Sequence, residues 1–169
     1  MKNTLRPYLL SCFLLMLPLL AWNLLLTPYL PAAYRPETFT RSIPAFILLG
    51  ENISRILLFI LTAVMPIRIN TGVQKTGIFV YASGMLLYFL SWLPLILAPQ
   101  STWSLSLPGF SAPAWTPLLW LTGICLTGNS FAFNLPYRRW YFAVPALLFL
   151  VFHNVHTAMV YFQLQEPGP

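Results

Sequence analysis

The chain has 169 residues, a formal net charge of +6 and a mean hydropathy of +0.72, with 58% of residues hydrophobic, 16% aromatic and 7% charged. That composition excludes an ordinary soluble domain and predicts an all-α polytopic membrane helix bundle. It contains no Asp and three Glu (Glu37, Glu51 and Glu166), which excludes acidic metal clusters and Asp-rich motifs for lipid pyrophosphates. Its nine Lys and Arg are scattered between apolar runs, which excludes a nucleic-acid face.

Five apolar runs succeed one another at about 8–29, 44–66, 77–97, 115–134 and 140–162. Each is near the roughly 20 residues that a transmembrane helix needs, so one integral-membrane domain over 1–169 is predicted. Lys2 and Arg6 precede the first run, which exceeds the apolar core of a signal peptide and is expected to stay attached. Cys12 and Cys125 fall inside apolar runs and read as packed thiols.

The second run carries Glu51, Asn52, Ser54 and Arg55 near its middle, where ionisable side chains are costly and functional by default. Glu51 lies one helical turn before Arg55, so carboxylate and guanidinium share a face and are expected to pair toward other helices rather than lipid. Tyr81, Gly84, Tyr88 and Ser91 in the third run, and Trp120, Gly123, Thr127 and Ser130 in the fourth, recur at helical spacing and read as close-packing stripes. Between them, the uncharged stretch 98–114 is apolar for a solvated loop and is expected on the membrane surface. Its alternation of Trp103, Leu105 and Leu107 with Ser104 and Ser106 leaves open a hairpin arm or a lid. Pro18, Pro94, Pro117 and Pro145 lie within spans and predict kinks and local cavities. The fifth run holds His153 and His156 on one face.

Positively charged loops are retained in the cytoplasm. Lys2, Arg6, Arg68, Lys75, Arg138 and Arg139 fall on one side, Arg35 and Arg41 on the other, so the N-terminus is expected inside and the C-terminus outside, in the inner (plasma) membrane of the cell. Glu51 then lies about four residues, roughly 6 Å by the helical rise, to the outer side of its helix's midpoint. His156 falls level with it, nearest the outer opening. The same count puts Trp22, Asn23, Ser91, Trp92 and Trp120 in that layer, with Arg55 and His153 just beneath.

Polar or polar-tipped residues from every helix at one depth imply a semi-polar pocket for a small amphipathic or lipid-like molecule, lined by Glu51, Asn52, Arg55, Asn23, Trp92, Trp120, His153 and His156. Several alternatives stay open. These groups can satisfy one another as interhelical glue. Glu51, His156 and His153 are candidates for acid–base catalysis on a lipid-like substrate, although the sequence has no G-x-S-x-G or H-E-x-x-H motif. A proton-coupled transporter or channel is a third alternative, and a subunit that binds a membrane partner or a second copy of the chain is a fourth. No cofactor is expected. The weak exception is a metal held by His153, His156 and Glu51, since two His and a carboxylate form a facial triad.

Pro136-Tyr137-Arg138-Arg139-Trp140, with five spans and abundant Trp, loosely resembles the tryptophan-rich sensory/translocator proteins. Their Trp- and Pro-rich first loop is missing here, and the charged pair and the two His depart from their pattern, so no family membership follows.

Overall fold

The computed structural model describes residues 10–165; Lys2, Arg6, Glu166 and the start of the first predicted span lie outside the described residues. The described chain is all-helical. Its main elements are α1 (Cys12–Tyr29, with 3-10 turns at both ends), α2 (Ala45–Val64), α3 (Gly72–Leu97), α4 (Pro117–Thr127) and α5 (Trp140–Gln165). Four of these, all but α4, are long and apolar enough to cross a membrane, where the sequence predicts five.

Proline at the start and an early exit at the end account for the difference, since α4 gives way to extended backbone at Gly128, short of the predicted 134. The helical run that begins at Leu107 is divided into Leu107–Phe110, Ala112–Trp115 and α4, each with a proline in its first turn: Pro108, Pro113 and Pro117. A proline has no N–H for the preceding turn and its ring clashes there, so it starts helices well and interrupts them. The 11 residues of α4 span about 16 Å, against roughly 30 Å of hydrocarbon. With its non-helical flanks the segment still links both ends of the bundle. At one end Tyr34 Oη donates to Phe110 O (2.7 Å) and Tyr161 Oη to Leu105 O (3.1 Å). At the other, Gln74 Nε2 donates to Thr127 O (3.3 Å) and Ala132 N to Val64 O (2.8 Å).

Local chemistry sets the remaining boundaries. Helix α3 begins at Gly72, ahead of the predicted 77, because Thr71 and Gln74 form a capping box: Gln74 N donates to Thr71 Oγ1 (3.3 Å) and Thr71 N to Gln74 Oε1 (3.1 Å). Helix α2 ends before Pro66, which disfavours helical geometry at Met65. There Cys12 N donates to Met65 O (2.7 Å) and Ile67 N to Leu10 O (2.8 Å), which pins the start of α1 to the end of α2.

Two helix pairs dominate the packing, α3 with α4 and α2 with α5. Along α3–α4, Gly77 and Gly123 let the backbones touch. A Cβ on Gly77 would lie 2.8 Å from Thr127 N, and one on Gly123 would lie 2.5 Å from Tyr81 Cα. The two stripes seen in the sequence form this seam, with Tyr81, Gly84, Tyr88, Trp120, Gly123 and Thr127 all buried. Helix α2 is organised inside out: Ile47, Glu51, Ser54, Leu58 and Thr62 are buried while Phe46, Ile53, Ile56 and Ile60 face outward. The bundle's outer surface is oily throughout, with Leu24 80% and Leu97 77% exposed, so apolar surroundings suit it.

The stretch 98–114 forms no hairpin arm. It winds through turns and the two short helices and buries Ser104, Phe110, Ala112 and Ala114. Ser104 Oγ donates to Pro94 O (3.0 Å), and Phe110 stacks on Tyr34 with ring centroids 4.7 Å apart. It therefore roofs one end of the bundle.

Candidate functional site

Glu51 is buried and its carboxylate gathers three side chains. Arg55 Nη2 donates to Oε1, His153 Nδ1 lies 3.1 Å from Oε1, and His156 Nδ1 lies 2.6 Å from Oε2. Helical phase produces this arrangement: Arg55 is one turn along α2, and residues three apart on α5 lie about 60° apart in azimuth, so the two imidazoles straddle the carboxylate. Gly50 permits the close approach of α5, since a Cβ there would sit 2.6 Å from the Phe152 ring. Phe149 underlies the cluster. Arg55 Cζ is 5.7 Å from its ring centroid, and His153 stacks on it at 5.2 Å and 14°.

His156 is buried, and its second nitrogen, Nε2, meets Phe39 O at 2.7 Å. That carbonyl belongs to the last residue of the short helix Pro36–Phe39. Both ring nitrogens of His156 therefore face oxygens. A neutral imidazole carries only one N–H, so the two bonds require a second proton, held either by the ring or by Glu51 Oε2. In either placement Glu51, Arg55 and His156 together hold one net positive charge. His153 donates from Nδ1 to Glu51 and, among the described residues, its Nε2 has no partner.

A cavity of about 380 Å³ lies against this cluster. Asn23 of α1, Arg55 of α2, Tyr88 of α3, Trp120 of α4 and His153 of α5 are its polar stations, and Met16, Leu19 and Leu58 its apolar wall. A second space of about 200 Å³ shares Asn23, Tyr88, Pro113 and His153 with it and runs beneath Tyr34, Phe39 and Phe110. Tyr88 Oη donates to Asn23 Oδ1 (2.7 Å), which leaves the Asn23 amide N–H groups without a partner among the described residues. Burial pushes the Tyr34 phenol far above its ordinary range, so it remains a donor to Phe110 O.

Of the residues singled out in the sequence, Asn23, Arg55, Trp120 and His153 line the larger space and Trp92 the smaller one. Glu51 and His156 stand behind them as buried supports. Asn52 is exposed and accepts from Arg55 Nη1 (3.2 Å), on the outer side of α2. Trp22 stacks on Phe89 (4.2 Å, 24°), and Ser91 Oγ donates to Tyr88 O (2.7 Å) in its own helix. The indole N–H groups of Trp22, Trp92 and Trp120 are buried without a partner among the described residues.

The two histidines exchange the places expected from depth. His153 lines the cavity and His156 is enclosed, because azimuth around α5, not height along it, decides which ring faces the space. The sequence reading missed three contributors: the Tyr88 bond to Asn23, the Phe149 platform and the Phe39 carbonyl. Tyr88 did recur at helical spacing with Tyr81 and Gly84, whereas a backbone carbonyl leaves no mark on residue identity. Among the described residues, no three His, Cys, Asp or Glu side chains are gathered as metal ligands. The two imidazole Nδ1 atoms address different carboxylate oxygens.

The described residues form an all-helical fold with four candidate membrane-spanning helices, which fits a multi-pass membrane protein, and with a charged cluster beside a cavity between helices. Comparison with known protein families, curated proteins and solved structures gives no match.

Proposed function

We propose that the protein binds a small amphipathic, lipid-like molecule in the cavity between its helices, within the cell's inner membrane. One observation carries this reading: a space of about 380 Å³ joins an apolar wall to polar groups with unused hydrogen-bonding capacity. Small-molecule pockets have this composition, mostly apolar with a few fixed polar groups, and run from roughly 300 to 1,000 Å³. Interhelical glue accounts for the mutually satisfied Glu51 and His156. It does not account for an open space beside the unpartnered nitrogens of Asn23 and His153. Leu20 of α1 is 37% exposed and the Arg55 side chain of α2 42%, and both line the cavity, which supports entry between these helices from the bilayer.

In this reading the N-terminus is cytoplasmic and the C-terminus outside. Arg68, Lys75, Arg138 and Arg139 support it, because they belong to the segments that meet around Gln74, Thr127 and Ala132 at one end of the bundle. A reporter fused after Pro169 should be active outside; activity in the cytoplasm would reverse the orientation.

The binding itself is tested by thermal unfolding of the purified full chain with a panel of single-chain amphipaths. A ligand bound to the folded state alone raises the melting temperature. Leu58→Trp, which fills the cavity, is expected to remove the rise. If no amphipath stabilises the parent, the proposal fails.

A further inference from the structure

We infer that the occupant of this cavity carries an anionic head, a carboxylate or a phosphate, on an apolar chain; the inference rests on the binding reading above and names its ligand class. Charge balance is the first argument. Glu51 is the one carboxylate within α1–α5, and it is matched by Arg55 and by the additional proton that the two hydrogen bonds of His156 require. One positive charge is left over in apolar surroundings, where an unmatched cation is unfavourable and a joining anion restores balance.

Hydrogen-bonding capacity is the second argument, and it is independent of the first. Around the cavity the oxygen acceptors of Asn23 and Glu51 are taken: Tyr88 occupies Asn23 Oδ1, while Arg55, His153 and His156 occupy the Glu51 carboxylate. The donors are in surplus. The Asn23 amide N–H groups and Arg55 Nε have no partner among the described residues, against one free acceptor, the lone pair of His153 Nε2. An oxyanion fits such a set, whereas a cationic or donor-rich head does not. Arg55, His153 and Asn23 line one space, with Met16, Leu19, Leu20 and Leu58 left to receive the chain.

The test uses the full chain in phosphatidylcholine nanodiscs and follows quenching of its tryptophan fluorescence by three brominated single-chain probes: a stearate, its methyl ester and a monoalkyl phosphate. Affinities are expressed per mole of lipid, which removes differences in partitioning. The acid or the phosphate should bind about tenfold or more tightly than the uncharged ester, a difference of about 1.4 kcal/mol, and the tighter of the two identifies the source of the oxyanion. Arg55→Gln and His156→Gln each remove the surplus charge and should bring that ratio toward one. His156 lines neither space, so its effect would be one of charge alone, and either variant decides if the other fails to fold. Equal binding of acid and ester by the parent overturns the anionic head and leaves the cavity reading intact. A preference for the acid that survives both substitutions also overturns the inference. Absence of quenching by all three probes overturns the inference and the cavity reading together.

Discussion

The α3–α4 and α2–α5 seams look alike as sequence, each a series of small or polar residues recurring along an apolar helix, yet they are held by opposite means. At α3–α4, Gly77, Gly84 and Gly123 bring backbones into contact, and the Thr127 hydroxyl is spent on its own helix through Gly123 O (2.8 Å). Apart from the Trp120 indole N–H, the side-chain donors at that seam are spent among the described residues, and its stability is a matter of fit. At α2–α5 a single carboxylate organises two imidazoles and a guanidinium, and the groups at its edge, Arg55 and His153, turn toward an open space. Recurring polarity in a membrane helix therefore becomes informative about function when it leaves valence unused, not merely when it is present.

The largest expected effect breaks the polar seam. Glu51→Leu leaves Arg55 without its counter-charge and His156 Nδ1 without its partner, and should cost about 3 kcal/mol in denaturant unfolding from mild detergent, at the low end for a buried pair because the Arg55 side chain is 42% exposed. Adding Arg55→Met should recover only part of that loss, because His156 still lacks its acceptor; strictly additive losses would mean that the groups are not coupled. The shape-held seam should respond next. Gly84→Val forces a branched side chain against the backbone of Leu119 and Trp120 and should cost roughly 1–3 kcal/mol. A neutral result there would erase the contrast between the seams.

A smaller effect is expected where the seam begins. Thr71→Ala removes half of the capping box and should cost about 1 kcal/mol, with amide exchange accelerating first around residues 72–76. The smallest effect sharpens the comparison within the polar seam itself. His153→Gln removes one interhelical hydrogen bond, worth about 0.6 kcal/mol on average in membranes. It should leave the melting temperature close to that of the parent while weakening stabilisation by amphipaths. His156→Gln should show a clear loss of stability from the broken Glu51 and Phe39 bonds, with its effect on binding confined to the preference for a charged head. Equal behaviour of the two variants would show that the rings are not divided between support and site.

The inward faces and the central polar group were legible. Burial of Glu51 followed from the cost of a charge in hydrocarbon, and its pairing with Arg55 followed from their spacing. Both packing stripes mark the α3–α4 seam. Less legible was the fate of the 115–134 run, where hydropathy supplies a span but the helix runs only from Pro117 to Thr127, with Pro108 and Pro113 dividing the helical chain ahead of it. Average apolarity carries no term for a missing N–H. The roles of His153 and His156 were also hidden, since depth can be counted along a sequence whereas azimuth depends on how α5 rolls against α2. The Phe39 carbonyl was beyond reach because any residue there would supply the same oxygen.

The central claim, that the polar cluster heads a ligand cavity, is tested most directly by an experimental density map of the full chain extracted from its native membrane in mild detergent. The account predicts an elongated density whose head lies within hydrogen-bonding distance of Arg55 and Asn23 and whose body follows Met16, Leu19 and Leu58. A cavity closed by repacking of Phe149 and Trp120, with every polar nitrogen of Asn23, Arg55 and His153 paired to protein, would contradict it.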